Sequence, residues 1–239
     1  NVFPYLGFIS GLVVKNCNGL ILNNTKVRSA SLTGIDLRNC SDITVTHCES
    51  ELNGYAGMTL SGCRNATIKS CYFGSNGVEI PVNGYGVALQ GGPNNAVNSN
   101  VVISMCRADR NLRKGIDVHC GVGVSIVGNG VINVGDAGVY AVCESPSKFV
   151  REVAIMNNII HNEADSGKAL SCSGISVGSS NDGSAIPPDP GGFCVSDNVI
   201  TSSFGNLGVA GVHVYMPQAG PAPSEVYISK NHIFQAGAP

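Results

Sequence analysis

The chain has no tryptophan, only 6% aromatic residues, and only 13% Asp, Glu, Lys or Arg, where an ordinary soluble domain carries about 25% charged residues. No basic run is long enough to neutralise a series of phosphates, and fourteen Lys and Arg are outweighed by sixteen Asp and Glu. Nucleic acid is therefore not an expected partner. No stretch approaches the roughly 18 consecutive apolar residues of a membrane span. The opening Asn1-Val2-Phe3-Pro4 has neither a charged leader region nor an initiator methionine. The expectation is a protein without membrane insertion, cut from a longer chain. The 31 glycines lack a Gly-X-Y period, which removes collagen, and ten cysteines in 239 residues are too sparse for a disulfide scaffold. With 43% hydrophobic residues, the chain is too apolar for disorder and long enough for one large core.

What is present is a repeat. A Gly followed by alternating apolar positions begins at Gly11, Gly34, Gly57, Gly86, Gly115, Gly138, Gly174 and Gly211, as in Gly34-Ile35-Asp36-Leu37 and Gly115-Ile116-Asp117-Val118. A second alternation follows each copy and ends on Leu22, Val45, Ile68, Ile103, Ile126, Ile155, Val195 and Ile228. Aligning on those residues gives a column three positions later of Thr25, Cys48, Cys71, Cys106, Asn129, Asn158, Asn198 and Asn231. Two positions further comes another, with Phe73, Val131, Ile160, Ile200 and Ile233 among its members. Period-two alternation means strands with every second side chain inward. Three short strands and three turns per repeat predict an all-β parallel solenoid of about eight coils, spanning residues 1–239 as one domain. No coil can bury its own apolar face, but stacking makes a continuous core. Neither end carries an obvious polar cap, in keeping with a fragment that continues into flanking coils.

Cys17, Cys40 and Cys63 recur at the coil period, with Cys120 and Cys143 near the same offset. They read as packing residues and as free thiols, which fits folding in a reducing cytoplasm. No Cys-x-x-Cys pair or nearby His suggests a zinc site, so no metal or cofactor is expected. The Asn column reads as structural, since an amide at a repeated turn can donate to one neighbour and accept from another.

The outward positions of the first strand form two rows. One runs Val13, Asp36, Thr59, Ala88, Asp117, Tyr140, Ser176, His213; the other runs Lys15, Arg38, Ser61, Gln90, His119, Val142, Gly178, Tyr215. The coil beginning at Gly115 has no insertion and lies between coils that do, so Asp117 and His119 form the floor of a notch, with Tyr140 one rung up. Arg113, Lys114, Asp136 and Glu144 fall at strand ends of the same two coils, and Glu79 lies in the long loop before the fourth coil. Glycoside hydrolysis needs two carboxyl groups about 5 to 9.5 Å apart. Groups one or two rungs apart meet that need, which selects Asp117 with Asp136 or Glu144, and His119 to orient substrate or share proton transfer. Elimination beside a uronate would instead use His119, Tyr140 or Lys114 as base, with Arg113 countering the carboxylate. Tyr85, Tyr140 and Tyr215 offer flat rings to a sugar, and His213 completes the binding set. The plainer reading is that outward Asp and His are solvated and that Arg113 and Asp136 form a surface ion pair of little worth.

With the coils laid out, the chain resembles, over nearly its full length, the right-handed parallel β-helix proteins of the pectate-lyase-like superfamily. The segment Arg113-Lys114-Gly115-Ile116-Asp117-Val118-His119, with Ile126-Val127-Gly128-Asn129 and Gly138-Val139-Tyr140, looks most like the β-helix of bacteriophage tailspike depolymerases. That resemblance implies a homotrimer on a virion tail, folded in the host cytoplasm and acting outside the cell, or else a secreted protein. It further implies binding and cleavage of a bacterial surface polysaccharide, capsule or O-antigen, with hydrolysis ranked ahead of β-elimination. Two family patterns are missing: the Asn-Thr-Asp plus Gly-His-Gly set of polygalacturonases, and the aspartate cluster by which many pectate lyases hold calcium. The alternatives are a non-catalytic glycan-binding adhesin or spike, and an epimerase acting on polymeric uronates.

Overall fold

A computed structural model of the chain describes residues 9–77, 83–144, 149–162, 173–179, 191–202, 210–215 and 224–235. The alternating segments become three sheets of eight strands, each coil giving one strand to each sheet. All neighbours are parallel. In the first sheet Ile35 pairs with Met58, Met58 with Val87, Val87 with Ile116, Ile116 with Val139 and Val139 with Ile175. All six are fully buried, as the repeat predicts. The second sheet stacks Val45, Ile68, Ile103, Ile126, Ile155 and Val195 in the same manner. The third stacks Phe73, Ala108, Val131, Ile160 and Ile200, and the columns meet in one core. Burying a large apolar side chain contributes on the order of 1.5–3 kcal/mol, and each coil does so for its neighbours.

The recurring glycine turns the chain from the third sheet into the first, and close approach explains it. A Cβ on Gly115 would run into Val131 Cγ1 and lie 2.6 Å from the Gly138 carbonyl oxygen. A Cβ on Gly34 would meet Ser50 of the third sheet, whose hydroxyl donates to the Gly57 carbonyl at 2.7 Å.

The corner from second to third sheet is made by one residue in the left-handed region, such as His47 (φ 53), Ser70 (φ 54), Met105 (φ 52) or Asn157 (φ 56). The next residue is then carried inward, which is where the Cys and Asn column stands. Asn129 Nδ2 donates to Asn158 Oδ1 at 3.0 Å, Asn158 to Asn198 at 3.0 Å, and Asn198 to Asn231 at 2.8 Å. Each Nδ2 also donates to a carbonyl of the preceding coil, namely Ile103, Ile126 and Ile155. In the earlier coils the column is of thiols, with Cys48 N–H donating to Cys71 Sγ at 3.4 Å and Cys106 N–H to Asn129 Oδ1 at 2.9 Å. Every described cysteine is free.

A second ladder, not foreseen from the sequence, fills the corner after the third sheet. Asn53 Nδ2 donates to Asn76 Oδ1 at 2.9 Å, and Asn76 to Asn111 at 2.8 Å. The same device makes it: Leu52, Ser75 and Arg110 each have positive φ and precede the asparagine. Among the described residues no helix is long and apolar enough to cross a membrane.

Replacing Asn158 by Ala strands the Asn129 main-chain N–H and removes the bonds this amide makes to the Asn129 side chain, the Ile126 carbonyl and Asn198. Buried groups left unpaired cost about 1–3 kcal/mol each, so urea unfolding of Asn158→Ala should show a stability loss of roughly 3 kcal/mol. Gly115→Ala should lose about 1–3 kcal/mol by overpacking the corner.

Candidate active site

The cluster rests on the strand Lys114–Val118 and its neighbours Tyr85–Gln90 and Ala137–Cys143. Asp117 stands in register between Ala88 and Tyr140, and Lys114 between Tyr85 and Ala137. Gly115 takes the corner between Lys114 and the regular alternation. Residues three apart therefore come to share the outer face, which strict period two would not allow.

Lys114 Nζ lies 3.2 Å from Asp117 Oδ1 and 3.3 Å from the centre of the Tyr140 ring, an ion pair combined with a cation–π contact. His119, one residue beyond the strand, brings Nε2 to 2.9 Å from Asp117 Oδ2. The approach is out of line for a hydrogen bond, so Oδ2 is buried with no hydrogen-bond partner. On the other side of the imidazole, Nδ1 stands 3.6 Å from Glu144 Oε2, and Glu144 Oε1 accepts from the Tyr140 hydroxyl at 3.0 Å. The imidazole is thus bracketed by two carboxylates.

Burial fixes the protonation states. The side chains of Lys114 and Asp117 are 1% and 0% exposed. Burial alone would raise the Asp117 pKa, but the facing His119 and Lys114 outweigh it and hold the carboxyl at about 2, below its ordinary 3.8. The Tyr140 phenol is pushed well above its usual range by burial, then by the charge of Glu144 and the hydrogen bond to it. Burial, with Asp117 and Tyr55 behind it, also raises Tyr85, and Arg113 offsets part of this. Asp117 stays ionised while both phenols stay protonated.

Arg113 forms the adjoining half of the site. Its Nη1 donates to the Tyr85 hydroxyl at 2.8 Å and its Nε to Asp136 Oδ2 at 3.2 Å, with 40% of the side chain exposed. The surface ion pair therefore exists, but it also clamps Tyr85. Aromatic contacts extend the face both ways: Tyr55 meets Tyr85 at 5.2 Å, Tyr140 meets Tyr215 at 6.0 Å, and His213 lies against Tyr215 at 4.1 Å between ring centres.

The structure thus gathers Lys114, Asp117, His119, Tyr140 and Glu144 in one network, sets Arg113, Asp136 and Tyr85 beside it, and reaches His213 and Tyr215 through Tyr140. Glu79 lies outside the described residues. One expectation needs correction: most of the outward row is not solvated. Asp36, Thr59, Ala88, Asp117, Tyr140 and Ser176 are all buried, and Lys114, at the strand end as expected, is a buried partner of Asp117. Reading the sequence also passed over Asp36 with Arg38, an ion pair in which Arg38 Nε donates to Asp36 Oδ2 at 2.9 Å. The signal was there, since residues two apart in a strand share a face. Among the described residues no group of three or more His, Cys, Asp or Glu is placed to hold a metal ion.

The family described as the right handed beta helix region matches residues 10–186. No curated protein matches the chain. Among solved structures, the crystal structure of an alginate lyase from Paenibacillus sp. str. FPU-7 is similar over 95% of this chain and 77% of that one, with 18% identity and a TM-score of 0.56. That of a double mutant of the periplasmic alginate epimerase AlgG is similar over 94% of this chain and 48% of that one, with 13% identity and a TM-score of 0.64. At such identities the likeness is one of fold.

Because folding lowers the Asp117 pKa, its pairing stabilises the protein fully above 3.8, and that contribution is lost as pH falls through about 2. Acid unfolding followed by circular dichroism should show the wild-type protein losing stability faster than Asp117→Asn across that window, by on the order of 2 kcal/mol. Lys114→Met should cost about 3–5 kcal/mol at neutral pH, because it leaves a buried charge with one partner removed.

Proposed function

The chain belongs to the right-handed beta helix family, and we propose that it is an enzyme acting on a uronate-containing polysaccharide by removing the proton beside the sugar's carboxylate. One observation carries this reading: Asp117 is locked as a carboxylate between Lys114 and His119, while Tyr140 on the next rung keeps its proton. Hydrolysis requires one protonated and one ionised carboxyl; Asp117 is fitted only to the ionised role, and the acid would have to be Asp136 or Glu144. In this reading elimination ranks ahead of hydrolysis. Support for the substrate class comes from the two similar structures, one of an alginate lyase and the other of an alginate epimerase. Elimination and epimerisation of uronates share their first step.

In that step the Arg113 guanidinium faces the sugar carboxylate and makes the neighbouring C5–H bond more acidic. His119, whose Nε2 faces the Asp117 carboxylate at 2.9 Å, takes the C5 proton as the base. For elimination, the C5–H electron pair becomes the second bond between C4 and C5, the C4–O bond breaks, and the departing oxygen takes the Tyr140 hydroxyl proton. For epimerisation, a proton returns to C5 from the opposite face and no C–O bond breaks. Lys114 acts as a positioning residue, keeping Asp117 ionised and lying against the Tyr140 ring. The resemblance to tailspikes supports the finer setting within this proposal: a bacterial capsule or O-antigen as the polymer, and a homotrimer on a virion tail. Light scattering of the purified chain should then give a trimer mass.

Incubation with sodium alginate and with uronate-bearing capsular and O-antigen polysaccharides should yield the ultraviolet absorbance of an unsaturated uronate, or an inverted C5 configuration by NMR. His119→Ala and Tyr140→Phe should each lower kcat about 100-fold or more. New reducing ends without unsaturation would decide for hydrolysis, and binding without any change in the polymer would decide for an adhesin.

A further inference from the structure

A cavity of about 340 Å³ opens on the outer face of the first sheet, lined in part by Asp36, Arg38, Tyr55, Thr59, Ser61 and Gln90. None of these residues takes part in the proton transfers above. Asp36 is 3% exposed; its Oδ1 accepts from the Thr59 hydroxyl at 3.0 Å, and its Oδ2 accepts from Arg38 Nε at 2.9 Å and from Nη2. These contacts occupy the side edge of the guanidinium. Among the described residues Arg38 Nη1 has no hydrogen-bond partner, and 42% of the side chain is exposed. A planar fork anchored along one edge and open along the other is shaped to grip a carboxylate by two parallel hydrogen bonds. At the rim Gln90 Nε2 donates to the Tyr55 hydroxyl, and the Tyr55 ring meets that of Tyr85, which Arg113 holds. The cavity is therefore joined to the catalytic cluster by an unbroken row of side chains.

The register gives the separation. Asp36 pairs with Thr59, Thr59 with Ala88 and Ala88 with Asp117, three strand steps of about 4.8 Å each, or roughly 14 Å. We propose that this cavity binds a second acidic sugar unit of the same polymer, its carboxylate on the open edge of Arg38, roughly three to four units along the chain from the reacting one. The proposal rests on the function proposed above and adds that the enzyme selects substrate by length.

The test compares size-fractionated alginate oligomers, dimer to octamer, as substrates. With the wild-type protein, KM should fall about tenfold between oligomers too short to span the interval and those that do. Arg38→Ala should abolish that fall, leaving kcat and the KM of short oligomers unchanged. Because Arg38→Ala also strips Asp36 of its cation, Ser61→Trp serves as an independent variant: it fills the cavity from the rim and keeps the ion pair. Loss of the length effect in both variants supports the proposal. A length effect that survives both, or an equal rise in KM for short and long oligomers, overturns it while the catalytic reading stands. Absence of elimination and epimerisation on every oligomer, with the wild-type protein folded, overturns both.

Discussion

The neighbour of each side chain is its own counterpart one coil along, at the spacing of hydrogen-bonded strands, about 4.8 Å. That constraint decides which residue types can follow one another. Columns of Ile and Val stack because like shapes repeat without gaps, and the corner glycine persists because Val131 or Ser50 already fills the space beside it. The catalytic cluster obeys the same rule with unlike partners. Ala88 on one side of Asp117 and Ala137 beside Lys114 are small, which leaves room for the Tyr140 ring to lie against the ammonium group.

The buried Lys114–Asp117 pair is a modest source of stability, since withdrawing two charges from water offsets much of their attraction. Its value lies in what it fixes. A carboxylate that never protonates in the working range gives His119 a permanent orienting charge, and the same lysine confines the phenol that hands over a proton. The electrostatics and the stacking serve one end: proton donor and acceptor are set before substrate arrives.

The fold was legible because its signal is repeated eight times, so an irregular turn in one coil does not hide it. The Asn129–Asn231 column was visible on the same ground. The Asn53–Asn76–Asn111 ladder was missed because it occupies only three consecutive coils and follows residues as different as Leu52, Ser75 and Arg110. The candidate site was half legible. Alternation tells which side of a strand a residue takes, and it placed Asp117, Tyr140 and His119 together. It does not tell what lies over them, so the burial of Asp117 was not foreseen. The link between Lys114 and Asp117 was hidden for a different reason: the corner glycine shifts the phase of the strand by one residue.

Both asparagine ladders point the same way. Each side-chain amide donates to the oxygen of the next coil, so their dipoles add head to tail from coil to coil, across the direction in which the strands run. The rod accordingly has an electrical sense along its axis, with carbonyl oxygens at one extremity of each series and amide hydrogens at the other. A whole turn can be duplicated or deleted without breaking either series, whereas a reversed or half turn would set oxygen against oxygen. Such a molecule is free to lengthen only in complete revolutions, and only in one direction of winding.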